Sequence, residues 1–201
     1  MTVFNITSGQ HGLHALLTRA VALQSDAVAR IQLLPNGDCE VFVTTPFDVI
    51  ASRRVTAELT GQESIFPASE LLAGALTKSI PNSWPGALPP VGKFEQLDII
   101  PVDVVHQLLD QGKDLARSFS GPLGPPKSLL DQEVLQVSGG GKTAAVTMRM
   151  IFACNSLGLI PGRAARPEIP RHVRVAVAGR WVRLDAPFGS VYQSQGLSLL
   201  I

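Results

Sequence analysis

The fold is decided by the stretch Val28-Ala29-Arg30-Ile31-Gln32-Leu33-Leu34-Pro35-Asn36-Gly37-Asp38-Cys39-Glu40-Val41-Phe42-Val43. Apolar residues alternate on both sides of the central Asn-Gly pair, which is the pattern of two β-strands joined by a tight turn. Asn-Gly favours a type I′ turn, because both central positions of that turn need a positive φ. The stretch therefore predicts an antiparallel hairpin.

Helical spacing appears on both sides of this hairpin. Upstream, a short strand over residues 2–7 precedes apolar residues at helical spacing, namely Leu13, Leu16, Leu17, Ala20 and Leu23. Downstream, a further strand is predicted from Phe47 to about Leu59, and Pro67 then begins a short helix that reaches Leu76. The first part of the chain thus predicts the order strand, helix, hairpin, strand, helix.

The remainder of the chain predicts helices followed by strands. Apolar residues between Val105 and Phe119 indicate an amphipathic helix, and Ser128 with Asp131 resembles a capping box before a second helix that ends near Val137. Residues 143–157 are nearly all apolar and predict a third helix, which Gly158 and Leu159 end in a Schellman motif. Alternation then predicts strands over residues 173–177, 181–184 and 190–194.

These elements predict an α+β protein in which antiparallel β hairpins pack against amphipathic helices. We expect one half over residues 1–80, a Pro-rich irregular connection over 81–97, and a second half over 98–201 that packs on the first. Residues 37–52 and 179–194 share the frame turn, strand, Pro-Phe, strand. The shared frame fits an internal duplication and also fits two hairpins that contain Pro-Phe by chance, so the sequence leaves both open.

Composition bounds the class of protein. The chain has 201 residues, of which 45 % are hydrophobic and 16 % charged, so it can bury a large core. Neither a signal peptide nor an apolar stretch of membrane-spanning length is recognisable. Cys39 and Cys154 lie in apolar segments, which favours buried free thiols over a disulfide. We therefore expect a cytoplasmic protein.

The sequence nominates no catalytic residue, metal or cofactor. Gly139-Gly140-Gly141-Lys142-Thr143 contains part of a phosphate-binding loop, but Gln136 stands where the motif requires a glycine, so simple helix breaking is the favoured interpretation. His11 and His14 could share one helix face, yet no further ligand accompanies them. The chain is therefore predicted to be non-enzymatic. Catalytic side chains that are far apart in the sequence and meet only in the folded protein would not be recognised in this way.

Basic residues are concentrated near the end of the sequence. Residues 163–201 carry 6 basic and 2 acidic side chains, against 11 and 14 in residues 1–162. Binding to nucleic acid or another anion is therefore one hypothesis, while an ordinary solvated surface is the interpretation that scattered charges favour. The candidate contacts are Arg53, Arg54, Arg163, Arg166, Arg171, Arg174, Arg180 and Arg183.

The leading hypothesis is a protein-interaction or scaffolding module. Its partner would be an unidentified protein or a second copy of the chain, bound through apolar surface that includes Trp84, Trp181 and Phe188. Anion binding and an enzyme with an unrecognised site remain as alternatives. Residues 195–201 loosely resemble peptides that dock on bacterial sliding clamps, but a final strand packed on its own domain is the favoured interpretation.

Four segments resemble a conserved actinobacterial protein family that has no assigned function. They are Thr45-Pro46-Phe47-Asp48-Val49, Pro67-Ala68-Ser69-Glu70-Leu71-Leu72, Leu88-Pro89-Pro90 and Arg180-Trp181-Val182-Arg183-Leu184-Asp185-Ala186-Pro187-Phe188-Gly189-Ser190. The resemblance implies a cytoplasmic protein and transfers no catalytic residue. The order of elements in residues 2–78 also resembles one module of a DNA sliding clamp. That second resemblance implies a topology alone, because a fold does not by itself confer a function. The helix over 13–23 has Arg19 as its only certain charge, so it does not form a basic helix that could line a pore around DNA.

Overall fold

The computed structural model describes residues 2–61, 64–119 and 127–195, which belong to two compact units, Met1–Val91 and Gly92–Ile201. Both units combine helices with antiparallel strands, so the predicted α+β class is confirmed. Residues 74–94 contain neither helix nor strand, as the prolines of this stretch require.

The N-terminal unit is an antiparallel sheet with two helices. Its elements are β1 (Val3–Ser8), α1 (Gln10–Leu23), β2 (Val28–Leu33), β3 (Cys39–Thr44), β4 (Ile50–Thr60), β5 (Ile65–Pro67) and α2 (Ala68–Ala73). The strands lie in the order β5-β2-β3-β4, and β1 pairs with the end of β4 from Val3↔Thr60 onward. Leu13, Leu16 and Leu17 of α1 are buried together with Val41 and Val43 of β3, and these residues form much of the core.

The C-terminal unit contains four antiparallel sheet strands and a separate hairpin. Its elements are β6 (Glu95–Pro101), α3 (Val102–Phe119), α4 (Lys127–Leu130), β7 (Glu133–Gly139), β8 (Lys142–Thr147), α5 (Met148–Ser156), β9 (His172–Ala178), β10 (Trp181–Ala186) and β11 (Gly189–Ser194). The sheet has the order β6-β9-β10-β11, while β7 pairs with β8. Gly112 lets α3 approach α5, because a Cβ there would lie 2.8 Å from Met148.

The hairpin over residues 28–44 is confirmed, but its turn is not type I′. Gly37 has a positive φ of 87°, whereas Asn36 does not. The Gly37 N–H donates to the Leu34 carbonyl at 3.0 Å, and the Leu34 N–H donates to the Asp38 carbonyl at 2.8 Å. This is a three-residue loop that ends in a left-handed glycine, and Pro35 enforces it because its ring fixes a negative φ at the start of the loop.

Two helix predictions in the C-terminal unit were wrong. The segment expected to be helical up to Val137 is helical only over Lys127–Leu130 and continues as β7, and Thr143 to Thr147 belong to β8. Only Met148–Ser156 of the predicted third helix is helical. Its Schellman end is confirmed, because Gly158 N–H donates to Asn155 O at 2.9 Å and Leu159 N–H to Cys154 O at 2.8 Å.

Smaller differences concern element ends. β4 begins at Ile50 instead of Phe47, because residues 45–49 form a loop in which the Thr45 hydroxyl donates to the Val49 carbonyl at 2.7 Å. Helix α2 ends at Ala73 instead of Leu76, because Gly74 takes the left-handed conformation with φ of 70°.

The two units share an order of elements. Strand, helix and three antiparallel strands occur as β1-α1-β2-β3-β4 and again as β6-α3-β9-β10-β11, with α4, β7, β8 and α5 placed between α3 and β9. The two Pro-Phe segments lie between paired strands in both, although five residues separate β3 from β4 and two separate β10 from β11. A common origin by duplication stays a prediction.

Candidate docking groove

The N-terminal unit contains an open groove with a volume of about 740 Å³. One wall is made by Thr2 and the first four residues of β1, the floor by Gln10, Leu13, His14 and Leu17 of α1, and the other wall by residues 71–77. Ligand pockets usually measure about 300–1,000 Å³. The groove is therefore large enough to hold a ligand.

The lining of the groove combines apolar and polar side chains and contains no carboxylate, ammonium or guanidinium group. None of its residues is Asp, Glu, Lys or Arg, and its polar groups are neutral hydroxyls, amides and the imidazole of His14. Leu13 and Leu17 are buried in its floor, and Leu71 is buried in the wall that α2 contributes. The surface suits an uncharged ligand, because a charged group would lose its hydration without meeting a counter-charge.

The wall at residues 71–77 is held by a carboxylate. Glu70 accepts hydrogen bonds from the Thr77 N–H at 3.1 Å and the Lys78 N–H at 2.9 Å, and the Thr77 hydroxyl donates to it at 3.3 Å. The Gly74 and Ala75 N–H groups close the end of α2 on the carbonyls of Leu71 and Glu70. The chain after α2 is thus fixed opposite β1 before any ligand arrives.

Half of the predicted anion contacts are paired with carboxylates within the protein. Four of the eight arginines form ion pairs: Arg54 with Glu40 at 3.1 Å, Arg171 with Asp103 at 2.9 Å, Arg183 with Asp185 at 2.7 Å, and Arg163 with Asp110. Arg53 is half-buried against Gly12, and burial lowers the pKa of its guanidinium. For Arg166, Arg174 and Arg180, the described part of the chain shows no ion pair.

The predicted aromatic interaction surface is mostly buried. Trp84 is 9 % exposed and Trp181 is 8 % exposed, while Phe188 is half-buried. Neither indole therefore offers a docking surface in this chain. The Trp84 Nε1 atom is itself buried, without a hydrogen-bond partner among the described residues.

The glycine run at residues 139–141 is a hairpin turn instead of a helix break. Gly140 and Gly141 have φ of 57° and 76° and connect β7 to β8, and Gly139 pairs with Lys142. Gly139 lies against the backbone of Leu97, and the Lys142 ammonium forms an ion pair with Glu95. The lysine that a phosphate loop would use is therefore committed to a carboxylate.

The histidines and cysteines do not form a second site. His106 is buried and its Nε2 lies 3.0 Å from the Pro161 carbonyl oxygen, whereas His11 and His14 are exposed. Within the described ranges no group of three metal-ligating side chains converges. Both cysteines are free and buried, as predicted, and burial raises the pKa of Cys39 and raises that of Cys154 to about 12.

Two family models match the sequence. The one described as Domain of unknown function (DUF8185) covers residues 89–198, which is more than half of the chain. The chain belongs to the DUF8185 family. A second model, Domain of unknown function (DUF8010), matches residues 3–88 of this DUF8185 protein. No curated protein matches it.

Solved structures with a similar fold are bacterial sliding clamps. The DUF8185 protein superposes on the β sliding clamp of C. crescentus with a TM-score of 0.59 at 8 % identity, over 96 % of this chain and 65 % of the clamp. It also superposes on a DnaN sliding clamp (DNA polymerase III subunit beta) from Bartonella birtlesii with a TM-score of 0.57 at 12 % identity, over 100 % of this chain and 67 % of the clamp. The chain thus spans about two thirds of the length of these clamps, and the predicted clamp-like topology is confirmed.

Two further predictions concern the membrane and the tail. No helix in the described ranges is long and apolar enough to cross a membrane. The peptide-like residues 196–201 lie outside the described residues, so their docking role stays a prediction.

Proposed function

We propose that this chain is a protein-interaction module that holds an uncharged segment of a partner protein in the groove of the N-terminal unit. The observation that carries the proposal is the lining of the groove, which has buried leucines in its floor and no Asp, Glu, Lys or Arg on its floor or walls. Burial of apolar surface stabilises such a complex by roughly 25 cal/mol per Å² before the entropic cost of association is subtracted.

The fold supports a role in an assembly. The matched clamps are named as subunits of a DNA polymerase, and are therefore parts of a larger protein complex. A scaffolding role for this chain is compatible with that fold, while its fold alone assigns no partner. Self-association, the actinobacterial origin and a cytoplasmic location stay predictions.

Binding to nucleic acid is less well supported by the charges. The exposed residues of α3 include Asp103, Asp110 and Asp114 against Lys113 and Arg117, and Arg19 is the only charged residue of α1. Affinity for nucleic acid arises from cations that neutralise phosphates. Helices with this charge balance, together with the four arginines already paired to carboxylates, leave Arg166, Arg174 and Arg180 as the main candidates for such a surface.

The proposal is tested by selecting random heptapeptides displayed on phage against the protein and measuring the selected peptides by fluorescence anisotropy. We expect uncharged peptides rich in aliphatic residues. Leu76→Asp places a carboxylate in a half-buried wall position and should weaken binding by at least about tenfold. Ala73→Glu, at an exposed position of the same wall, should act in the same direction with less risk to the fold.

The matched control is Leu33→Asp, since Leu33 is 57 % exposed and does not line the groove. It should leave the affinity unchanged. The proposal is wrong if no peptide is selected, or if the selected peptides bind Leu76→Asp and Ala73→Glu as tightly as the unchanged protein.

A further inference from the structure

One edge of β1 has no partner strand. Among the described strands, β1 pairs only with β4, from Val3↔Thr60 to Ser8↔Thr56. No residue of β4 lines the groove, whereas residues 2–6 all do. The groove therefore lies along the edge of β1 that faces away from β4.

The consecutive residues in the lining are consistent with a groove that borders the edge of this strand. Successive side chains of a strand point to opposite faces, so a groove that lay on one face would touch every second residue. Here five consecutive residues line it. A ligand in the groove consequently reaches the backbone N–H and C=O groups along the open edge of β1.

Within the described ranges, this edge has none of the usual protection against pairing. Natural edge strands are blocked by charged side chains, by proline, by bulges or by a covering element. The sequence of β1 is Val3-Phe4-Asn5-Ile6-Thr7-Ser8, without a charge or a proline, and its single irregularity falls between Ile6 and Ser8, beyond the groove. Val3 is 54 % exposed at the start of the strand.

We infer that the partner segment binds in an extended conformation as an additional strand on the free edge of β1. Main-chain hydrogen bonds to β1 supply affinity in this mode, and pockets for alternate side chains supply specificity. One set of alternate side chains would meet the floor at Leu13 and Leu17, and the neutral lining selects uncharged residues for it. The inference rests on the proposed function, because it specifies how the same groove holds its ligand.

The binding mode is tested with N-methylated copies of a phage-selected peptide. N-methylation removes one main-chain donor and leaves the side chain unchanged. In an added strand, only every second N–H points to β1. We therefore expect methylation at alternate positions to weaken binding by at least about tenfold and methylation at the intervening positions to have a much smaller effect.

The protein side is tested with Val3→Lys, which places a charge at the exposed start of the strand and should weaken binding of the same peptide. Leu33→Lys, at a position of similar exposure outside the groove, should not. A peptide that binds normally after methylation at every position overturns strand addition but leaves the proposed function intact. A dimer seen by light scattering that Val3→Lys abolishes, with no peptide selected, overturns both proposals in favour of a second copy as the occupant.

Discussion

Gly12 of α1 and Arg53 of β4 lie in contact, and the absence of a side chain at position 12 makes room for the guanidinium. A Cβ built on Gly12 would overlap the Nε, Cζ and Nη2 atoms of Arg53. The arginine that the sequence suggested as an anion contact is therefore packed between the first turn of a helix and the sheet. Its charge is half-buried, and burial lowers the pKa of the guanidinium.

This contact predicts coupling between the two positions. Replacing a helical glycine by alanine ordinarily stabilises a helix by about 1 kcal/mol. In the unchanged protein Gly12→Ala must displace Arg53, whereas in an Arg53→Ala background it need not. We expect Gly12→Ala to change the free energy of unfolding differently in the two proteins. The change should be more stabilising by at least about 1 kcal/mol in the Arg53→Ala background than in the unchanged protein. Urea unfolding of the two single variants and the double variant measures this, and additive effects would contradict the contact.

The hairpin turn at residues 139–142 gives a second prediction. A Cβ on Gly139 would lie 2.5 Å from the carbonyl oxygen of Leu97, and backbone cannot move aside as a side chain can. Gly139→Ala should lower the free energy of unfolding by about 1–3 kcal/mol. Gly162→Ala is the control, because nothing lies within 4 Å of its Cβ. Equal melting temperatures for the two variants would show that β7 does not approach β6 this closely.

The ion pair between Arg149 and Asp131 predicts a pH dependence of stability. The hydrogen bond that Arg149 Nε donates at 2.7 Å, and then the charge of Arg149, hold the pKa of Asp131 below its usual value. The contribution of this carboxylate to stability is present above the pKa of the unfolded state, about 4, and is lost as the pH falls through the lower folded value.

The test compares urea unfolding of the unchanged protein and Asp131→Asn at pH 7 and at pH 3. Asp131→Asn should be less stable at pH 7, because the substitution removes the charged carboxylate that accepts a hydrogen bond from the buried Arg149. The difference between the two proteins should shrink at pH 3. A difference that stays constant over this range would contradict the assigned pKa shift.

The paired arginines predict weak or absent binding to nucleic acid. Fluorescence anisotropy with a labelled DNA duplex and a labelled single strand should show no association at physiological salt. Association that falls steeply with salt, and that the triple substitution of Arg166, Arg174 and Arg180 by alanine removes, would contradict the account and would restore the anion-binding hypothesis.

Sequence patterns correctly predicted the helices and strands that are determined by residues close together in the sequence. Helices α1 and α3 follow from apolar residues at helical spacing, and the end of α5 follows from Gly158 and Leu159. The hairpin of β2 and β3 follows from Asn36-Gly37, although Pro35 changes its turn. In each case the residues that determine the structure are close in the sequence.

The segment at residues 142–147 shows where such patterns fail. Thr143, Ala144, Ala145, Val146 and Thr147 form a short apolar run, and periodicity cannot separate a buried strand from a helix in a run of this length. The strand forms because it pairs with β7, as in Val137↔Ala144 and Leu135↔Val146. Threonine and valine favour strands, and this was the signal that could have corrected the prediction.

The groove could not be predicted from the sequence, because residues 2–6 and 71–77 meet only in the fold. The burial of Trp84 and Trp181 was hidden for the same reason, since composition does not tell which aromatic rings the core takes up. One sequence signal was available, namely that β1 carries neither a charge nor a proline. That absence gains meaning only once the topology shows that β1 is an open edge.

The central claim, that the groove binds an uncharged extended segment along β1, is tested most directly by hydrogen–deuterium exchange of the protein with and without a selected peptide. We predict slower exchange of the amides in residues 2–6, and no such change in Val3→Lys at the same peptide concentration. Bound peptide that leaves exchange in residues 2–6 unaltered, or protects amides only in the C-terminal unit, would contradict it.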